Sequence, residues 1–151
     1  MVVKEPLGTV VSIVPFNFPV LLFGWQAAAA LAAGNAVIVK PSELTPLTLL
    51  TVMQAFDHLP AGLVQVVTGG AEVGQLLVAH EHTHAVAFTG SVPAAQAVAR
   101  AAAQRFKPVL IEASGNDPFI VMPSAPMDAA VRGAAFAAFL NCGQVCTSAE
   151  R

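Results

Sequence analysis

The sequence predicts an α/β fold in which a parallel sheet carries helices on both faces. Three observations predict it. Short apolar, β-branched runs alternate with longer alanine- and leucine-rich stretches along all 151 residues. Runs with no polar alternation suit strands buried on both faces, as parallel sheets require. No repeat, low-complexity tract or linker interrupts the alternation.

The elements follow in order. Val10 to Val14 reads as a buried strand and Leu21 to Ala33 as an alanine-rich helix. Ala36 to Val39 is a second strand. Pro46 to His58 is a helix, with Thr45 placed to cap it and Pro46 suited to its first position. Leu63 to Val67 is a short strand, and a helix runs from Ala71 to His80 after Thr68-Gly69-Gly70. Ala85 to Phe88 is a strand, Thr89-Gly90-Ser91 a turn, and Val92 to Gln104 a helix. Val109 to Ile111 and Phe119 to Met122 read as strands, and Met127 to Leu140 as a helix.

Composition narrows the function. Hydrophobic residues make up 56% and charged residues 11%, which excludes a disordered chain. A formal charge of −2 leaves no basic footprint for nucleic acid. So little charge implies surface that another domain, another subunit or a membrane covers. A membrane span is not expected. The uncharged stretch between Glu5 and Lys40 is broken by Pro15, Asn17, Pro19, Gly24, Gln26, Gly34 and Asn35, whereas a spanning helix needs roughly 20 continuous apolar residues. No targeting signal is visible, and a cytoplasmic location is expected.

An open parallel sheet binds ligands at the carboxyl ends of its strands. Three strand-to-helix turns there carry unusual chemistry: Pro15-Phe16-Asn17-Phe18-Pro19, Lys40-Pro41-Ser42-Glu43, and Phe88-Thr89-Gly90-Ser91. In the third, Ser91 can cap a helix whose N-terminus attracts an anion such as a pyrophosphate. No Gly-x-Gly-x-x-Gly follows any strand, so the usual dinucleotide fingerprint is absent. Cys142 and Cys146 are too few for a disulfide scaffold, and with no His or further Cys nearby no metal site is expected.

Those three turns, with Thr45-Pro46, Glu112 and Gly143-Gln144-Val145-Cys146, stand in the order and spacing of the aldehyde dehydrogenase superfamily, which the chain resembles over essentially its whole length. The resemblance implies a Rossmann-like sheet and oxidation of a small-molecule aldehyde to an acid with NAD, NADP remaining open. Residues 1–111 would then belong to the cofactor domain and 112–151 would begin the catalytic domain. The chain looks like the middle part of such an enzyme, whose full-length form is expected to be a homo-oligomer. The isolated chain is expected to be inactive, with Cys146 on a fraying terminus.

The resemblance also assigns roles. Cys146 matches the nucleophile that forms a thiohemiacetal and then a thioester. Glu112 matches the base that activates water, and Asn17 the oxyanion donor. Val14, Phe16, Lys40, Glu43, Gly70, Gly74, Gly90 and Ser91 match cofactor contacts, with Glu43 favouring NAD by its charge. Cys142 matches no catalytic role, though a regulatory disulfide with Cys146 is conceivable.

Two departures from the family pattern stand out. Ser114 replaces a glycine, at a cost if that position needs positive φ. Ala95 replaces a glycine in a helix that must approach its strand. Two other functions remain in view: a non-catalytic nucleotide-binding remnant, and a coenzyme-A-acylating enzyme. The second needs no hydrolytic base, so Glu112 speaks against it.

Overall fold

Thr9–Ile13 forms the first strand, β1, in a computed structural model that describes residues 1–151. Helix α1 (Pro19–Ala32) returns the chain to β2 (Ala36–Lys40), and α2 (Pro46–Met53) with a 3₁₀ turn at Gln54–Phe56 leads to β3 (Val64–Val66). Helix α3 (Ala71–Ala79), β4 (Ala85–Gly90), α4 (Val92–Ala103) and β5 (Val109–Ala113) follow. Beyond them come α5 (Met127–Phe139) and a 3₁₀ turn at Leu140–Gly143. The chain divides into two compact units, Met1–Ala113 and Ser114–Arg151.

The first unit is a sheet of order β3-β2-β1-β4-β5 with every neighbouring pair parallel. The order reverses between β1 and β4, which is the switch point of a doubly wound sheet. Alternate side chains feed two cores. Val14, Val37 and Val39 pack with Leu22 and Phe23 of α1 and Leu49 of α2. Val11, Val86 and Phe88 pack with Val78 of α3 and Ala95 and Ala102 of α4. Ala95 is thus a fully packed core residue, with α4 seated on its strand.

Helix ends show why the elements stop where they do. Pro19 pre-sets the first turn of α1. At the other end Gly34 takes φ +82, so that Gly34 N–H bonds Leu31 O at 2.9 Å and Asn35 N–H bonds Ala30 O at 3.0 Å. This pairing is a Schellman closure, which glycine permits. Buried Asn35 then accepts from the amides of Leu7 and Gly8 at 2.7 and 2.9 Å, tying the entry of β1 to the end of α1. The carboxyl end of α3 is closed by Lys107, whose ammonium donates to Val78 O and His80 O at 2.6 Å and to Thr83 Oγ1 at 2.7 Å. Burial and the neighbouring Arg105 hold its pKa below the ordinary lysine range, while the three acceptors favour the charged form.

Three sequence expectations need correction. Phe119 to Met122 is not a strand; pairing extends only to the Asp117–Ala149 bridge and the bond from the Phe119 amide to Arg151 O. Thr45 stands at the cap position of α2 with φ −135 and ψ 41, makes no capping bond, and leaves its buried Oγ1 without a partner. Ser91 stands at the cap position of α4 in extended backbone, and its side chain likewise bonds none of the helix amides. No helix is long and apolar enough to cross a membrane.

Candidate active site

The first unit gathers most of the sequence-derived candidates at the carboxyl edge of the sheet. Val14, Phe16 and Asn17 follow β1, Lys40 ends β2 with Glu43 just beyond, and Gly70 and Gly74 lie at the cap and in the first half of α3. Gly90 ends β4, Ser91 precedes α4, and Glu112 lies one residue from the end of β5. Parallel register sets Ile13 beside both Lys40 and Phe88, and Thr89 beside Glu112. A parallel ladder points such paired side chains to the same face.

On the α1 face that pairing borders a cleft of about 110 Å³ lined by Leu22, Trp25, Gln26, Ala87, Thr89, Leu110 and Glu112, among others. Glu112 contributes its only formal charge and is exposed to water. Ser12 and Gln26 were not singled out from the sequence. The Ser12 hydroxyl donates to Gln26 Oε1 at 2.6 Å, and Gln26 Nε2 donates to Thr89 Oγ1 at 3.1 Å. This chain satisfies fully buried Ser12 and fixes the amide that forms part of the cleft wall. The available signal was a polar residue inside each of two apolar runs.

At the β2 end, Lys40 is 5% exposed and donates to Pro41 O at 2.9 Å. Glu43 is exposed and takes no part in that contact. The stem of Lys40 covers Gly74: a β-carbon there would lie 3.4 Å from Cδ and 3.6 Å from Cε.

Cys146 belongs to the second unit, half-buried, while Cys142 is exposed; both are free thiols. Asn141, Cys142 and Gly143 take φ of +51, +59 and +76, a left-handed run just before the cysteine. The residues after Cys146, expected from the sequence to fray, make hydrogen bonds within their unit. Ser148 is buried and its Oγ donates to Ala137 O of α5 at 2.9 Å, while the Glu150 amide donates to Asp117 O at 3.0 Å. Ser114 has φ +66, so the departure from glycine falls on a position that does need positive φ. No group of three or more His, Cys, Asp or Glu is placed to hold a metal ion.

Known proteins share both sequence and fold. The chain is 42% identical over 150 residues to 4-trimethylaminobutyraldehyde dehydrogenase of Sus scrofa, covering 98% of this chain and 30% of that protein. An aldehyde dehydrogenase of Bacillus cereus, solved as its NAD+ complex, superposes with a TM-score of 0.92 at 37% identity, over 95% of this chain and 30% of that one. A 3,6-anhydro-L-galactose dehydrogenase solved with NADP gives 0.87 at 42%, over 95% and 31%. The chain therefore spans about 30% of the length of these relatives. The model of the aldehyde dehydrogenase family matches residues 1–151, and the chain belongs to that family.

Proposed function

We propose that this chain carries the nucleophile, the base and half of the cofactor site of an NAD(P)-dependent aldehyde dehydrogenase. The observation that carries the reading is Glu112: one water-accessible carboxylate, at the carboxyl edge of a doubly wound sheet, on the wall of a mainly apolar cleft. Such a cleft suits an uncharged organic substrate, and such a carboxylate suits proton removal from water.

The residues present fit a dinucleotide. Helix α4 offers N-terminal amides that the Ser91 side chain does not occupy. The Lys40 ammonium has donors beyond the one spent on Pro41. Thr45 Oγ1 is buried without a partner. The N-terminus of α4, with Gly90 and Ser91, would hold phosphate charge, and Lys40 and Glu43 would meet the adenosine ribose, Glu43 accepting from its hydroxyls, which favours NAD. The nicotinamide, when bound, supplies the acceptor for hydride.

The rest of the chemistry falls to the chain. The Cys146 thiolate adds to the aldehyde carbon, and Asn17 together with the Cys146 amide stabilises the oxyanion. Loss of hydride turns the adduct into a thioester. Glu112 takes a proton from water, whose oxygen attacks the thioester carbon and breaks the C–S bond, releasing the carboxylic acid and the Cys146 thiolate. These roles rest on the resemblance, residue by residue.

The test is a chimera in which residues 1–151 replace the matching segment of the Bacillus cereus enzyme. It should form NADH from an aldehyde panel, and Cys146→Ser should abolish this while leaving NAD binding nearly unchanged; Cys142→Ser should be mild. Turnover that survives Cys146→Ser would overturn the assignment. The 151-residue chain by itself is expected to give no turnover. Exposed apolar side chains such as Trp25, Leu44, Ile120 and Phe139 leave it prone to association.

A further inference from the structure

The segment that follows Glu112 and the segment that follows Cys146 are zipped together. Residues 114–119 run parallel to residues 146–151: Asp117 bridges Ala149, the Glu150 amide donates to Asp117 O at 3.0 Å, and the Phe119 amide donates to Arg151 O at 2.6 Å. Arg151 Nε adds a bond to Asn116 O at 3.1 Å. At the head of this zip Gly115 meets Cys146 itself. A β-carbon built on Gly115 would stand 2.9 Å from the Cys146 carbonyl carbon, 3.6 Å from its Cα, and nearer still to the carbonyl oxygen. Any side chain at 115 must therefore displace the backbone of Cys146, because backbone atoms cannot swing aside as the end of a side chain can.

We infer that Gly115 is a positioning residue for Cys146, setting the place of its backbone, and with it its thiol, through direct backbone contact. The inference rests on the reading of Cys146 as the nucleophile. Ser114, left-handed at φ +66, is the bend that delivers Gly115 to this contact. A local displacement of the order of an ångström at a reacting group costs about a hundredfold in rate.

The experiment uses the chimera and the two thiols of this segment, Cys142 and Cys146. Cys142, already exposed, serves as the internal reference for half-buried Cys146. Alkylation of each by iodoacetamide is followed by mass spectrometry. In Gly115→Ala, Cys146 should be alkylated about tenfold faster relative to Cys142, and kcat should fall about a hundredfold. KM and NAD affinity should hold. A merely structural role would lower the melting temperature and NAD binding together with kcat. Glu150→Pro removes the amide that donates to Asp117 without adding an atom at residue 115. It should move the ratio and kcat in the same directions by smaller factors, and it decides the matter if Gly115→Ala does not fold. An unchanged thiol ratio overturns the proposal, and so does a changed ratio with undiminished turnover. Turnover surviving Cys146→Ser would instead overturn the nucleophile assignment beneath it.

Discussion

Gly74 of α3 lies beneath the aliphatic stem of Lys40, the last side chain of β2, with room for one methyl group between them. A β-carbon on Gly74 would make ordinary contact, 3.4 Å from Lys40 Cδ and 3.8 Å from Ile13 Cδ1. Gly74→Ala should therefore fold, and should stabilise the protein by about 0.5–1 kcal/mol through helix propensity. The added methyl also props the stem whose ammonium is assigned to the cofactor. NAD binding should weaken. Thermal melting and a fluorescence titration with NAD measure the two effects in the chimera. Raised stability with unaltered NAD affinity would reduce Gly74 to a packing residue.

Glu112→Gln keeps the shape of the cleft wall and removes the carboxylate proposed as the base. Acylation does not need that base, whereas attack of water on the thioester does. The first turnover should thus still give a burst of NADH while steady turnover collapses. Rapid mixing with excess aldehyde resolves the two phases. Loss of the burst together with steady turnover would assign Glu112 to thiol activation or to the fold instead.

Lys107→Met tests a purely structural contact. The charged head closes α3 through Val78 O, His80 O and Thr83 Oγ1, and its loss frees two helix-end carbonyls at the negative end of the dipole. A loss of about 1–2 kcal/mol is expected, with water taking up part of the deficit because the site is half-exposed. Urea denaturation of the chimera should show the lower midpoint, with kcat unchanged.

Local pattern carried the architecture. The apolar runs at Val10 to Val14 and Ala36 to Val39 fall on strands largely buried on both faces, and the three strand-to-helix turns singled out fall at the carboxyl edge. The failures share one cause. Phe119 to Met122 has the composition of a strand, yet a strand exists only where a neighbour pairs with it, and composition does not name a neighbour. Thr45 and Ser91 occupy cap positions, but capping depends on a side-chain rotamer that identity alone does not set. Ser12, Gln26 and Thr89 are far apart in sequence, and only the β1–β4 pairing and the seat of α1 bring their polar groups together. Gly115 was legible as a glycine; its contact with Cys146 was not.

Ser114 offers the sharpest test of how far local strain is part of this site. Its φ of +66 lies in the left-handed region, where a β-carbon crowds the backbone at a cost of roughly 1–2 kcal/mol. Its side chain is exposed, so replacing it removes little packing. Ser114→Gly should relieve that strain, although glycine also loses more freedom on folding, which offsets part of the gain. A net stabilisation of about 0.5–1 kcal/mol is expected, read as a higher melting temperature of the chimera. Because the bend that delivers Gly115 to Cys146 is kept, kcat should stay within about twofold of the parent. A destabilised Ser114→Gly protein would mean that the serine makes a stabilising contribution larger than its strain. A large loss of kcat at unchanged stability would mean that the rigidity of the serine, and not the bend alone, holds the cysteine segment in place.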